Sequence, residues 1–180
     1  LRVRRPIAEL AAKGQVIEIA EKIGNFERLA GIVEADLATL DPDKIPHDWR
    51  DSMVTGWLEF GFADAQKQVV SLVGELAVTL DAVCQRCLEP FRLSLATGLR
   101  LLPTTVEQGV SAGNDFEPWE LEDERVCPAE IVEEVLIMAM PLSAMHENSA
   151  ACKGYEPADE EAQQTTRPFA ALKAQLDQDK

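Results

Sequence analysis

The sequence predicts an α+β domain: an antiparallel sheet, open or curled toward a barrel, with one long CxxC-tipped hairpin and a few flanking helices. Three observations predict it. Apolar residues alternate over 54–62, 68–84 and 91–101, as half-buried strands require. The last two runs are joined by a short connection carrying Cys84 and Cys87, which describes an antiparallel hairpin. A single strong helical pattern follows, over 127–141.

Each element can be justified in order. Residues 6–15 read as a short helix, with Pro6 at its start and Gly14 past its end. Residues 25–40 start as a helix with Asn25 as the candidate cap, and their second half fits a strand equally well. Residues 41–49 are a loop. In the first strand Val54, Leu58, Phe60 and Phe62 share a face. In the second, Val70, Leu72, Leu76, Val78 and Leu80 share one face, while Ser71, Glu75, Thr79 and Asp81 lie mostly on the other. In the third, Phe91, Leu93, Leu95, Leu99 and Leu101 oppose Arg92, Ser94 and Arg100.

After Pro103 a polar loop covers 104–115. Next comes an acidic stretch with Glu117, Glu120, Glu122, Asp123 and Glu124. In the helix that follows, Pro128 suits the first position, and Glu130, Glu133 and Glu134 favour its amino end through the dipole. Its apolar stripe is Ile131, Val135 and Met138, and Pro141 ends it. The reading is one domain over 1–150, with its sheet core at 54–102 and a packed helix at 129–140. An acidic flexible tail occupies 151–180, with a short docking helix at 168–176 that uses Phe169 and Leu172. No internal repeat is present.

Composition limits the function. The chain has 180 residues, 46% hydrophobic, with a formal net charge of -15. That charge repels polyphosphate at long range and attracts basic proteins, although acidity also serves solubility alone. No secretory segment follows the basic start, and the longest apolar run, 135–140, is far too short to span a bilayer. Four cysteines without an export signal predict reduced thiols and a cytoplasmic protein. Neither histidine sits in a nucleophile motif, and there is no phosphate-cradling glycine loop and no HExxH. The expectation is therefore not an enzyme, with no small-molecule substrate and no membrane.

Three readings of Cys84 and Cys87 stand side by side. A redox pair normally places its first cysteine at a helix amino end, where the dipole lowers its pKa, and here the pair sits on a hairpin. A hairpin CxxC is also the usual half of a zinc site, because the turn aims both sulfurs at one point. His146 and Cys152, in one loop, could supply the other half, with Cys127 and His47 as the remaining ligand types. The third reading is a turn that simply holds free thiols. Charge raises one more candidate. Arg86, Arg92 and Arg100 face only Glu89 over 82–104, and with Arg2, Arg4 and Arg5 they form either a phosphate-contacting patch or scattered solubilising charges.

Residues 78–91, VTLDAVCQRCLEPF, resemble the CxRC-type signature of the YceD family of bacterial proteins. The helix ending in Pro141, the loop from Met145 to Cys152 and the segment RPFAALKAQL at 167–176 resemble further family features in the same order. The resemblance covers roughly 50–180. It implies a non-enzymatic ribosome-biogenesis factor needed for large-subunit (23S) ribosomal RNA to accumulate. Its partner would be a basic large-subunit ribosomal protein or the pre-ribosomal particle, received by Glu117, Glu120, Glu122, Asp123, Glu124 and residues 156–161. Direct RNA contact by Arg86, Arg92 and Arg100 is the alternative, and thiol redox chemistry the weaker third. Many family members carry a second cysteine cluster after the helix, whereas this chain keeps Cys152 alone there.

Overall fold

The computed structural model describes residues 1–104, 115–121 and 123–152. The expected tail beyond Cys152, with its helix at 168–176, lies outside them, as do Glu122 and most of the 104–115 loop, while Cys152, expected in that tail, is buried. The strands and helices in chain order are β1 (Arg5–Pro6), α1 (Ile7–Ala12), β2 (Val16–Lys22), α2 (Glu27–Leu37), β3 (Met53–Phe62), β4 (Val70–Val83), β5 (Pro90–Thr104), β6 (Glu117–Glu120), β7 (Arg125–Val126) and α3 (Pro128–Ala139). β2 to β6 form one sheet in sequence order, antiparallel except for the parallel pair β5–β6. The α+β class is as predicted. The sheet has two ends, β2 and β6, and does not close into a barrel.

The hairpin β4–β5 dominates, paired from Val83–Pro90 at its tip to Leu72–Leu101 at its base. Its predicted inner face holds: Leu72, Leu76, Val78, Leu80, Leu95 and Leu99 are buried, and so are Val54, Leu58 and Phe60 of β3. Ser71 and Asp81, expected outside, are buried as well. Asp81 sits opposite Arg92, whose guanidinium reaches its carboxylate. Burial raises the Asp81 pKa and the Arg92 charge opposes that shift. Gly56 has φ +146, and a Cβ there would stand 2.0 Å from the Glu75 carbonyl oxygen. Only glycine lets β3 and β4 approach so closely.

α1 ends as predicted. Gly14 takes φ +56, and N–H groups of Gly14 and Gln15 close on the carbonyls of Ala11 and Leu10. The 41–49 loop contains a single 3-10 turn at Pro42–Lys44 and runs into a second at Trp49–Asp51. β2 was not anticipated. It is short, its outward side includes the half-exposed Val16, and its inward signal is only Ile17 and Ile19. None of the described helices is long and apolar enough to cross a membrane.

Two helix expectations need correction. α2 is helical through Leu37, with no strand in its second half, because Leu29, Ala30, Val33 and Leu37 recur at helical spacing and all are buried. Its cap is not Asn25, whose side chain donates to Glu21. Instead Glu133 of α3 accepts hydrogen bonds from the backbone N–H of Arg28 at 2.6 Å and of Leu29 at 3.0 Å. The carboxylate satisfies two orphan donors and faces the positive end of the α2 dipole. Drawing Glu133 inward rotates α3. Its buried stripe is Ile131, Val132 and Leu136, and Met138, expected inside, is 78% exposed. Replacing Glu133 with alanine should cost about 1–3 kcal/mol, since it leaves buried N–H groups unpaired. Urea unfolding measures this, and a loss near zero would show that water serves as well.

The amino end is tied to the start of α3. β1 pairs with β7, Ala129 N–H donates to the Leu1 carbonyl, and Arg4 bridges Glu130 at 2.9 Å. Arg4 therefore has an acidic neighbour, and Arg2 donates to the Asn25 carbonyl.

Candidate metal centre

The tip of the β4–β5 hairpin is built to aim two sulfurs at one point. Leu88 N–H donates to the Cys84 carbonyl at 2.8 Å, and Cys84 N–H to the Glu89 carbonyl at 3.0 Å. This folds 84–89 into a tight knuckle, with Leu88 in the left-handed region at φ 58. The knuckle is held from two sides. Asp36 of α2 accepts the N–H of Val83, and Gln85 N–H donates to the Ala144 carbonyl. The second contact brings the segment after α3 across the tip, and His146 settles against the ring of Phe91 with centroids 4.8 Å apart.

Cys84, Cys87, His146 and Cys152 are thereby assembled, their ligand atoms all within 4.8 Å of one another. Cys84 Sγ lies 3.9 Å from Cys152 Sγ, and His146 Nδ1 lies 3.6 Å from Cys87 Sγ and 3.5 Å from Cys152 Sγ. A tetrahedron with Zn–S about 2.3 Å and Zn–N about 2.05 Å has edges of about 3.8 Å (S to S) and about 3.6 Å (S to N). The three separations given above match those edges, and all six lie within 4.8 Å. A disulfide needs its sulfurs about 2.05 Å apart, and all four cysteines of the chain are free.

The electrostatics fit the same purpose. Burial alone would raise the Cys84 thiol, but N–H donors from Cys87, His146 and Arg86, joined by the His146 side chain, bring it down to about 5. Cys84 is fully buried, so its thiolate faces the other ligand side chains. Burial raises Cys152, with the Cys87 and Cys84 sulfurs adding to the rise. Four protein ligands leave no open position, which is the pattern of structural rather than catalytic sites.

The other candidates fall elsewhere. Cys127 stands at the amino end of α3, with its sulfur near the Leu1 carbonyl, and His47 is exposed on the loop before β3. Arg86 lies beside the cluster, 3.8 Å from Cys152 Sγ and from Met145 Sδ. Arg92 reaches Asp81 and the Thr79 carbonyl, and Arg100 lies over the ring of Phe116, 5.0 Å from its centroid. Arg92 and Arg100 are eight residues apart on one strand, about 26 Å at 3.3 Å per residue. Glu117 and Glu120 are exposed on β6, and Asp123 and Glu124 are exposed in the turn after it. The sequence did not indicate Asp36, Phe91 and Ala144 as supports of the site. Asp36 and Ala144 come from distant segments, and Phe91, four residues after Cys87, reads only as one more inward strand residue.

Fold and site define a class: an α+β protein with a cysteine–histidine cluster that could hold a metal ion, at the tip of its longest hairpin. The chain belongs to the YceD family. The family model described as "Large ribosomal RNA subunit accumulation protein YceD" matches residues 72–176, a span that includes both halves of the cluster. The chain is similar to the large ribosomal RNA subunit accumulation protein YceD of Haemophilus influenzae (strain ATCC 51907 / DSM 11121 / KW20 / Rd), at 33% identity over 129 residues, covering 68% of this chain and 72% of that protein. No solved structure matches it.

Proposed function

We propose that this chain supports accumulation of large-subunit ribosomal RNA as a non-enzymatic assembly factor. It binds a basic large-subunit ribosomal protein, free or in the pre-ribosomal particle, through its carboxylates. The observation that carries the reading is the concentration of exposed acids on β6 and the turn after it, in a chain of net charge -15. Family membership and the name of the Haemophilus influenzae relative support the ribosomal setting. Zinc, held by Cys84, Cys87, His146 and Cys152, fixes the hairpin tip to the segment after α3 and takes no part in chemistry.

Unassembled ribosomal proteins present dense positive charge, and an acidic surface shields it without fixed geometry. Such binding is fast and salt-sensitive, because exposed charges are screened over about 8 Å at physiological ionic strength. The arginine reading is supported less well, since Arg92 and Arg100 are spread along β5 and each has a partner.

A pull-down with RNase-treated and untreated arms tests the proposal. Neutralising Glu117, Glu120, Glu122, Asp123 and Glu124 together should abolish capture of the basic protein in both arms. Neutralising Arg86, Arg92 and Arg100 should leave that capture unchanged. If the purified chain instead binds large-subunit RNA tightly, and the arginine variant loses both that binding and complementation, direct RNA contact replaces this reading.

A further inference from the structure

We propose that the open edge of β5 beside α3 is a docking groove for an extended basic segment of a partner protein, which adds a strand to the sheet there. The proposal rests on the basic-partner reading above and names where on this chain that partner is received.

β5 is fifteen residues long, but β6 pairs only with its residues 101–104. Among the described strands, residues 91–100 have β4 on one side and no strand on the other. Such an edge presents N–H and C=O groups in register for one more strand. A groove of about 750 Å³ lies beside β5 residues 97–101, bounded by β6 and α3, and extends over Val73–Glu75 of β4 as far as Trp57 of β3. Its apolar lining includes Leu99, Trp119, Val135 and Met138. Met138 is 78% exposed, an anchor left open by the rotation of α3. The groove also carries Glu75, Asp115, Glu117 and Glu134, against Arg100 alone among its described basic residues.

These features select the occupant. The free edge takes an extended backbone, the apolar lining takes alternate side chains, and the carboxylates take lysines or arginines on the intervening positions. A polyphosphate fits poorly, because it would meet four carboxylates.

The test uses the full chain and a synthetic peptide that alternates lysine with valine. A peptide of the same composition, with its lysines and valines in separate blocks, controls for charge alone. The alternating peptide should bind more tightly than the blocked one. It should slow hydrogen exchange at those amides of residues 97–100 that point away from β4. Met138→Ser, which leaves net charge unchanged, should weaken binding about tenfold, the scale expected from losing one buried methionine. Glu117→Lys should weaken it further, and Asp43→Lys, an equal change of charge near the opposite end of the hairpin, should not. If both peptides bind equally, with unchanged edge amides and no effect of Met138→Ser, the groove is overturned and the basic-partner reading stands. If those amides are already protected in the free chain, the edge is occupied from within and the groove is overturned. If neither peptide binds while large-subunit RNA does, the basic-partner reading fails and the groove fails with it.

Discussion

Cys84→Ser should remove zinc from the chain and lower its melting temperature by roughly 8–16 °C. The magnitude follows from mass action. A ligand present at about a thousand times its dissociation constant stabilises the folded state by about 4 kcal/mol. In a chain of this size about 1 kcal/mol corresponds to roughly 2–4 °C. The variant loses one of four ligands and leaves a buried hydroxyl among the remaining sulfurs. Treating the unaltered chain with a chelator should reproduce most of the shift. Cys127→Ser should retain zinc, because Cys127 lies at the amino end of α3, outside the four-residue cluster. Metal analysis of protein purified without chelator, paired with calorimetry, reads both quantities. Less than about a tenth of an equivalent of zinc in the unaltered chain, where a four-ligand site holds about one, would discard the metal centre.

Phe60→Ala should cost about 3–5 kcal/mol, a comparable loss by a different route. Phe60 is the largest fully buried side chain of the sheet. It stands near the end of β3, opposite Leu72 of β4 and one residue past the last β3 position paired with β2, and α1 packs against the same strand. Truncation removes its transfer free energy and leaves a void that neighbouring strands, fixed by their hydrogen bonds, cannot close. Below its melting temperature the variant should still carry a full complement of zinc, since the knuckle lies at the far end of the hairpin. Denaturant unfolding measures the loss, and a cost under about 1 kcal/mol would mean that the core relaxes around the gap.

Much of this was legible in the sequence, for reasons that can be named. The β4–β5 hairpin was readable because both strands alternate over more than ten residues and pair locally, so tertiary context has little to override. That Cys84, Cys87, His146 and Cys152 would come together was readable because a hairpin CxxC is half of a recognisable pattern and few other residues of ligand type were available. What stayed hidden depends on segments far apart in the chain. β2 carries only Ile17 and Ile19 on its inward side, with Val16 and Ala20 exposed alongside charged residues, which leaves its alternation weak. Asp81 reads as outward by parity and becomes buried beside Arg92. The face of α3 was misjudged by roughly a quarter of a turn at 3.6 residues per turn, because its periodicity cannot register a carboxylate captured by another helix. Glu133 looked like support for its own helix and instead caps α2, 104 residues away from Leu29.

That last contact has a consequence for a chain made vector-wise on the ribosome. α2 emerges early, yet the carboxylate that completes its amino end follows about a hundred residues later. At about 5–20 residues per second, that is an interval of roughly 5–20 s. The strand that fastens the amino end, β7, appears just before it. Throughout that interval the apolar side of α2, with Leu29, Val33 and Leu37, has the emerging sheet to rest on but no lock. The first third of the molecule therefore waits, and it reaches its final form only after α3 has been synthesised.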